Sequence, residues 1–231
     1  MSEEEFDSEL FGNKTVDASQ SLQQQLSTYQ QQLANLPESA TAMERTVVQL
    51  DIAETHLALE EKESAWNIAR EALNVFLENE KWQEAVESYN VLFQAEQPAS
   101  LSALAQGVWL AVTFPISANT TVAMLQHIVD ETPYDSDGAA LAAMMAHYIA
   151  DIRSNEGEHH SLTFLTQNIL GKVAKRHSNV NTQGELDAWI QKLELNKPEI
   201  FIPRLGAILD IMAEDNWWYD RDTLREKIPN E

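Results

Sequence analysis

The chain has 231 residues, of which 37 are acidic and 15 basic, and its formal net charge is −22. That charge argues against nucleic acid and against an anionic membrane surface as partners, because both would be repelled. There is no cysteine, which excludes disulfides, thiolate metal sites and cysteine nucleophiles, and Gly and Pro number only seven each, which favours helices over a β-sandwich.

The N-terminal sequence "MSEEEFDSELF" is acidic where a secretion signal would be basic and then apolar. No stretch contains the roughly eighteen consecutive apolar residues that a transmembrane helix requires. We therefore expect a cytoplasmic protein without a membrane span. The composition of residues 1–20 predicts a disordered acidic tail. Phe6, Leu10 and Phe11 interrupt its acids and leave open a short docking motif, beside the alternative of a plain solvated tail.

Residues 21–178 are predicted to form a domain of helical hairpins. "SLQQQLSTYQQQLANL" repeats its apolar residues at helical spacing, and Thr41 with Glu44 forms a capping box that starts the next helix. The turns "EEKES" and "LENEK" then separate helical runs that end near Leu59, Phe76 and Phe93.

The second half of the chain continues the helical pattern. Ser100 opens a helix that Pro115 ends, and an Ala/Met-rich helix over 139–152 is apolar on all sides, so it should be buried. Residues 179–231 are predicted to form a smaller helical cap on the same domain. In total we expect nine or ten helices and no strand. The residues expected to cap or begin the later helices are Asn119 or Thr120, Thr182 with Glu185, and Pro198, with Pro203 expected to kink the last long helix or delay its start.

The stretch "AETHLALEEKESAWNIAREAL" resembles the tetratricopeptide repeat, a helix–turn–helix unit with small residues where its two helices touch. Ala53, Ala65 and Ala72 match its three small positions, and "NEKWQEAVESYNVLF" resembles the second helix of such a repeat. The resemblance covers about residues 43–95 and a less closely matching segment, 139–174. The family repeats at about 34 residues, whereas the two strongest matches here are twenty apart. The fold we predict is all-α, with stacked antiparallel helical hairpins that form either a tetratricopeptide-like solenoid or a multilayer helical bundle.

In tetratricopeptide-like folds the first helix of each pair lines a concave groove. The resemblance therefore implies a partner-binding groove in which the acidic surface would steer a basic client protein. The function that we predict is a non-catalytic adaptor or assembly chaperone without a cofactor. The implied groove residues are Leu50, Glu54, Leu57 and Ala58, with Met144, His147 and Asp151 at equivalent places further along the chain.

Charge is unevenly distributed along the sequence. From Trp82 to Ile152 there is no Lys or Arg, and from Gln97 to Val129 there is no charged residue of either sign. A helix without charge does not present an ordinary solvated face. The segment 97–129 is therefore either a buried central element or a surface for self-association, or the chain is a structural subunit that buries it against a larger complex. The basic residues collect later, at Lys172, Lys175, Arg176 and His177, where we expect them to complement a helix C-terminus.

The sequence "NWWYD" is the one aromatic cluster in a polar setting. Trp217, Trp218 and Tyr219 are residues of the types enriched at binding hot spots. The alternative is that they clamp the C-terminal helix onto the body of the protein.

Catalytic motifs are few. "EGEHH" contains Glu156 and His159 at the spacing used by helical di-iron proteins, but those folds need two such motifs and two further Glu. An alternative function, a helical metal–carboxylate enzyme, would use His147, Asp151, Glu156 and His159, with His127 as a further ligand. The phosphate-binding patterns GxxxxGK and GxGxxG and the nucleophile elbow GxSxG do not occur.

Overall fold

The computed structural model describes residues 3–214 and 216–228, with side chains described from residue 18 onward. Within these ranges the fold is all-α and contains no strand, as predicted. It has eleven helices rather than nine or ten: α1 (Glu3–Ala34), α2 (Ala42–Ala58), α3 (Lys62–Glu78), α4 (Trp82–Gln94), α5 (Ser100–Thr113), α6 (Ala118–Glu131), α7 (Asp137–Arg153), α8 (Glu156–Ser178), α9 (Gln183–Lys192), α10 (Pro198–Ala213) and α11 (Arg221–Arg225).

The chain divides into two compact units, Met1–Ser100 and Leu101–Glu231. In the first unit α1 packs on α2, α2 on α3 and α3 on α4, and α2 also contacts α4. In the second unit α6 packs on α7 and α7 on α8, while α10 contacts α7 and α9 contacts α8. Within α1–α4 and within α6–α9, helices that follow one another thus pack on each other as hairpins, as predicted. The division falls at the start of α5, whereas the sequence suggested a domain that ends at residue 178.

Helices α2 and α3, which pack on each other, bury small side chains. Ala53 on α2 and Ala65 and Ala72 on α3 are all buried. Because interiors are close-packed, an alanine at such a position lets two helix backbones approach more closely than a leucine would.

Helix α1 begins at Glu3, inside the segment 1–20 whose composition predicts a disordered tail. The side chains of Phe6, Leu10 and Phe11, the docking motif suggested by the sequence, lie outside the described residues.

Both predicted capping boxes are confirmed. Thr41 accepts a hydrogen bond from the Glu44 N–H at 3.2 Å, and the Glu44 carboxylate accepts one from the Thr41 N–H at 2.7 Å. The Thr182 box has the same reciprocal pair. The prediction for α6 was wrong by two residues or more, since Ser117 is the cap and its hydroxyl accepts from the Thr120 N–H at 3.1 Å.

Helix α10 begins at Pro198, as expected, and Pro203 lies inside it without delaying its start. Among the described helices none is long and apolar enough to cross a membrane.

Several helices end in the same strained turn. Glu60, Glu80 and Glu194 each have a left-handed backbone, with φ between 57° and 61°. At Glu60 the turn is a Schellman motif, because the Glu60 N–H donates to the Leu57 carbonyl at 3.0 Å and the Glu61 N–H donates to the His56 carbonyl at 2.9 Å. Glycine is the usual residue at this position, since a side chain there is sterically costly.

We therefore expect Glu60→Gly to raise the free energy of unfolding by about 0.5–1 kcal/mol. The side chain lost makes only a 3.7 Å contact with Lys62 at the surface, which contributes little. Urea denaturation measures the change. The control is Glu71→Gly, at an exposed position inside α3, which should lose about 1 kcal/mol. If both substitutions lowered the free energy of unfolding equally, the left-handed backbone at Glu60 would not be strained.

Helix α5 is almost entirely buried. Every residue from Ser102 to Ala111 is buried, and Leu101 is the large apolar residue of this helix that remains exposed, at 44%. The absence of charge in α5 therefore reflects burial within this chain, and it leaves little of this helix for self-association.

Candidate partner-binding surfaces

Three carboxylates occupy the side of the first unit where α2 and α4 meet. Asp51 and Glu54 lie on α2, and Glu87 lies on α4. Gln83 donates to the Glu87 carboxylate at 2.8 Å. None of the salt bridges formed by the described residues involves these three acids. We call Asp51, Glu54 and Glu87 the acidic face.

The electrostatics of the acidic face are unfavourable. Burial raises the pKa of the Glu54 carboxyl, and the negative charges of Glu87 and Asp51 raise it further. Burial also raises the pKa of Asp51. Glu54 still has more than a third of its surface exposed, so a positively charged group from solution can reach it. A cation placed there would relieve repulsion that the folded chain otherwise retains.

The other α2 residues that the repeat resemblance places in a groove differ in how exposed they are. Leu50 is buried, at 5% exposure, because it packs in the core rather than facing a partner. Leu57 is half-buried and Ala58 is exposed. A partner approaching α2 would therefore meet Glu54 and Ala58, with Leu57 between them.

The α7 residues of the implied groove belong to the second unit, not to the acidic face. Met144 is buried, at 8% exposure, and so contributes to the core. His147 lies within hydrogen-bond distance of the Thr166 hydroxyl on α8, 3.0 Å from Nδ1. Burial lowers the pKa of His147, and the charge of Asp151 opposes that shift. Asp151 itself is exposed.

The residues of the metal–carboxylate alternative do not converge. His159 Nε2 lies 3.8 Å from Asp151 Oδ1, and its Nδ1 lies 2.9 Å from the Ser154 hydroxyl. His147 is engaged with Thr166 instead, and Glu156 is exposed in the first turn of α8. Burial lowers the pKa of His127 on α6. No group of three or more His, Asp or Glu side chains within the described part of the chain is arranged to hold a metal ion.

The aromatic cluster packs against α5. The rings of Trp217 and Tyr219 lie 6.2 and 5.6 Å from the Trp109 ring, centroid to centroid. The Arg221 guanidinium stacks over Trp217 at 4.0 Å. All three residues of the cluster, including Trp218, are half-buried. Such packing is what the alternative of a C-terminal clamp predicts.

Three arginines of the second unit donate to carbonyls at helix ends, and the roles of Arg153 and Arg204 were not foreseen from the sequence. Arg153 donates to the Ala111 and Val112 carbonyls at the end of α5, both at 2.7 Å. Arg176 donates to the Val129 carbonyl of α6 at 2.6 Å, and Arg204 donates to Leu193 at the end of α9, also at 2.6 Å. Each guanidinium thus satisfies carbonyls near a helix C-terminus. Arg176 belongs to the basic cluster that was expected to complement a helix C-terminus. It does so at the end of α6, a neighbouring helix, and not at the end of its own helix α8.

An open cavity of about 450 Å³ also lies in the second unit. Its lining contains no Asp, Glu or His, and its one charged residue, Arg225, donates to Asp222 at 2.6 Å. The cavity therefore offers no acid–base pair of its own. The lining residues are Trp109, Val112, Thr113, Met145, Ile202, Pro203, Leu205, Gly206, Leu209, Arg225 and Ile228.

Comparison with known proteins identifies no family for this chain. No protein-family model, no curated protein and no solved structure matches it.

Proposed function

We propose that the protein is a non-catalytic cytoplasmic adaptor or assembly chaperone that holds a client protein at the acidic face. The observation that carries this proposal is the convergence of Asp51, Glu54 and Glu87 on neighbouring helices without a salt-bridge partner among the described residues. A surface without a function would gain stability if Asp51 or Glu54 were replaced by a neutral residue.

The client has a basic segment in this proposal. Lys or Arg side chains would be attracted to the acidic face and would remove the repulsion that raises the pKa of Glu54. The net charge of −22 would add long-range steering, which raises the association rate and makes it sensitive to salt. Ala58 and Leu57, next to the carboxylates on α2, offer a small apolar contact for the same segment.

The tetratricopeptide resemblance supports the same location. In that family the first helices of successive hairpins line the groove. By the resemblance α2 is a first helix, and α4, whose sequence resembles a second helix, follows where the next first helix belongs. Their direct contact is the arrangement that such a groove requires.

The double substitution Glu54→Gln with Glu87→Gln is expected to stabilise the free protein while it weakens client binding. A carboxyl whose pKa is raised on folding costs stability when ionised, so the cost is present at neutral pH. It disappears as the pH falls below the ordinary value of 4.5. Since Glu54 is partly exposed, the gain at neutral pH should be only a few tenths of a kcal/mol. Thermal unfolding across a pH series measures it.

The matched control is Glu63→Gln with Glu71→Gln, two exposed acids of α3. This pair changes the net charge equally but leaves the acidic face intact. If both double variants lose the client to the same extent, net charge alone holds it and the proposed site is wrong.

A further inference from the structure

Helix α8 has an outer side that carries large apolar residues. Its inner side is formed by Leu162, Thr166 and Leu170, all buried. On the opposite side Phe164 is 63% exposed and Leu165 is 50% exposed. Together they form a small apolar patch on the surface of α8, which a partner could cover.

The same side of α8 is basic. Lys172 and Lys175 follow Phe164 by eight and eleven residues, a spacing that keeps them on one side of a helix. Both are exposed, and neither forms a salt bridge among the described residues. In a chain with 37 acids, no Asp or Glu occurs between Glu158 and Glu185. We call Phe164, Leu165, Lys172 and Lys175 the α8 outer face.

The chain contains one segment with the complementary pattern. Residues 3–11, "EEEFDSELF", combine five acids with Phe6, Leu10 and Phe11. Phe6 and Leu10 are four residues apart, the spacing that puts two residues on the same side of a helix. Nine helical residues rise about 12 Å, and the α8 outer face extends about 16.5 Å from Phe164 to Lys175.

We propose that residues 3–11 of one copy of the protein bind the α8 outer face of a second copy. The apolar residues of the segment would cover Phe164 and Leu165, and its acids would pair with Lys172 and Lys175. Helix α1 has 32 residues and α2 only 17, so α2 is too short to cover α1 along its whole length. Two copies that exchange these segments reciprocally form a closed dimer in which both faces are filled. This interface is separate from the acidic face and does not depend on the proposed function.

A charge swap in the full-length chain tests the proposal. One variant carries Lys172→Glu with Lys175→Glu, and the other carries Glu3→Lys, Glu4→Lys and Glu5→Lys. The parent protein should dimerise in a concentration- and salt-dependent way, as measured by sedimentation equilibrium. Each variant alone should associate at least about tenfold more weakly, because like charges then face each other.

Mixing the two variants should restore association as a one-to-one heterodimer, since the acidic α8 of the first then faces the basic segment of the second. This rescue separates the proposal from damage to folding, which mixing would not repair. A parent protein that is monomeric at all concentrations in low salt would overturn the proposal. Variants that associate as strongly as the parent would also overturn it, as would a mixture without rescue.

Discussion

Replacing Gln106 by alanine is expected to lower the free energy of unfolding by roughly 2–4 kcal/mol. Gln106 is fully buried in α5. Its side-chain amide donates to the Asn216 carbonyl at 3.1 Å, and its side-chain oxygen accepts from the Trp218 N–H at 2.8 Å. Without it, the Asn216 carbonyl and the Trp218 N–H would lose these hydrogen bonds, and a cavity would remain inside the protein.

Gln106 also positions the aromatic cluster. Its amide donates to the Ser102 hydroxyl at 3.1 Å, and its main-chain carbonyl accepts from the Tyr219 hydroxyl at 2.7 Å. One buried side chain thus ties the residues after α10 to α5 through hydrogen bonds. The cost of its loss should exceed that of an ordinary polar substitution, because the polar groups of such networks depend on one another.

Urea denaturation followed by circular dichroism measures the change. Gln106→Met keeps most of the volume and removes the hydrogen bonds, so a loss of about 1–3 kcal/mol in that variant isolates the polar contribution. Gln167→Ala, at an exposed position on α8, is the control and should change stability by less than about 0.5 kcal/mol. If Gln106→Ala is as mild as this control, the network does not hold the C-terminal segment.

Replacing Ala65 by leucine is expected to destabilise the protein by about 1–3 kcal/mol. Ala65 is fully buried in α3, the helix that packs on both α2 and α4. The added atoms would force neighbouring side chains from their rotamers or push the helices apart. The tetratricopeptide resemblance leads to the same prediction, because Ala65 matches one of the small residues that lie at the contact of the two helices in that repeat.

The comparison is Ala58→Leu, which adds the same atoms to an exposed position on α2. That substitution should change the free energy of unfolding by less than about 0.5 kcal/mol. Thermal unfolding of the two variants, measured side by side, compares their losses of stability. Equal tolerance at both positions would mean that α3 is not closely packed, contrary to the burial of Ala65.

Local features of this chain could be predicted from the sequence because their determinants lie within a few residues. The Thr41–Glu44 and Thr182–Glu185 boxes depend on side chains three residues apart, and both were identified. The absence of charge in 97–129 left burial and an interface as alternatives, and the structure shows that α5 is buried. The cap of α6 was misplaced because several hydroxyl and amide residues stand in a row, and the choice of Ser117 depends on where the helix axis begins.

Features that depend on distant residues could not be predicted. Glu87 joins the acidic face through the packing of α4 on α2, and sequence periodicity does not fix the register between two helices. The burial of Leu50 and Met144 could not be predicted for the same reason. An apolar stripe on a helix does not show which neighbouring helix covers it. Helix α10 contacts α7 in the second unit. The sequence predicts a cap on the same domain, but it does not indicate which helix the cap meets.

The measurement that tests the central claim most directly is a tagged purification from native lysate at low and high salt, with mass spectrometry of the proteins retained. The parent, the Glu54→Gln and Glu87→Gln variant and the α3 control variant would be compared side by side. We predict one abundant partner with a basic segment, retained by the parent and by the control and released by high salt. The acidic-face variant should lose it at both salt concentrations. No partner at either concentration, or a partner that the acidic-face variant retains as well as the parent does, would contradict the proposed function.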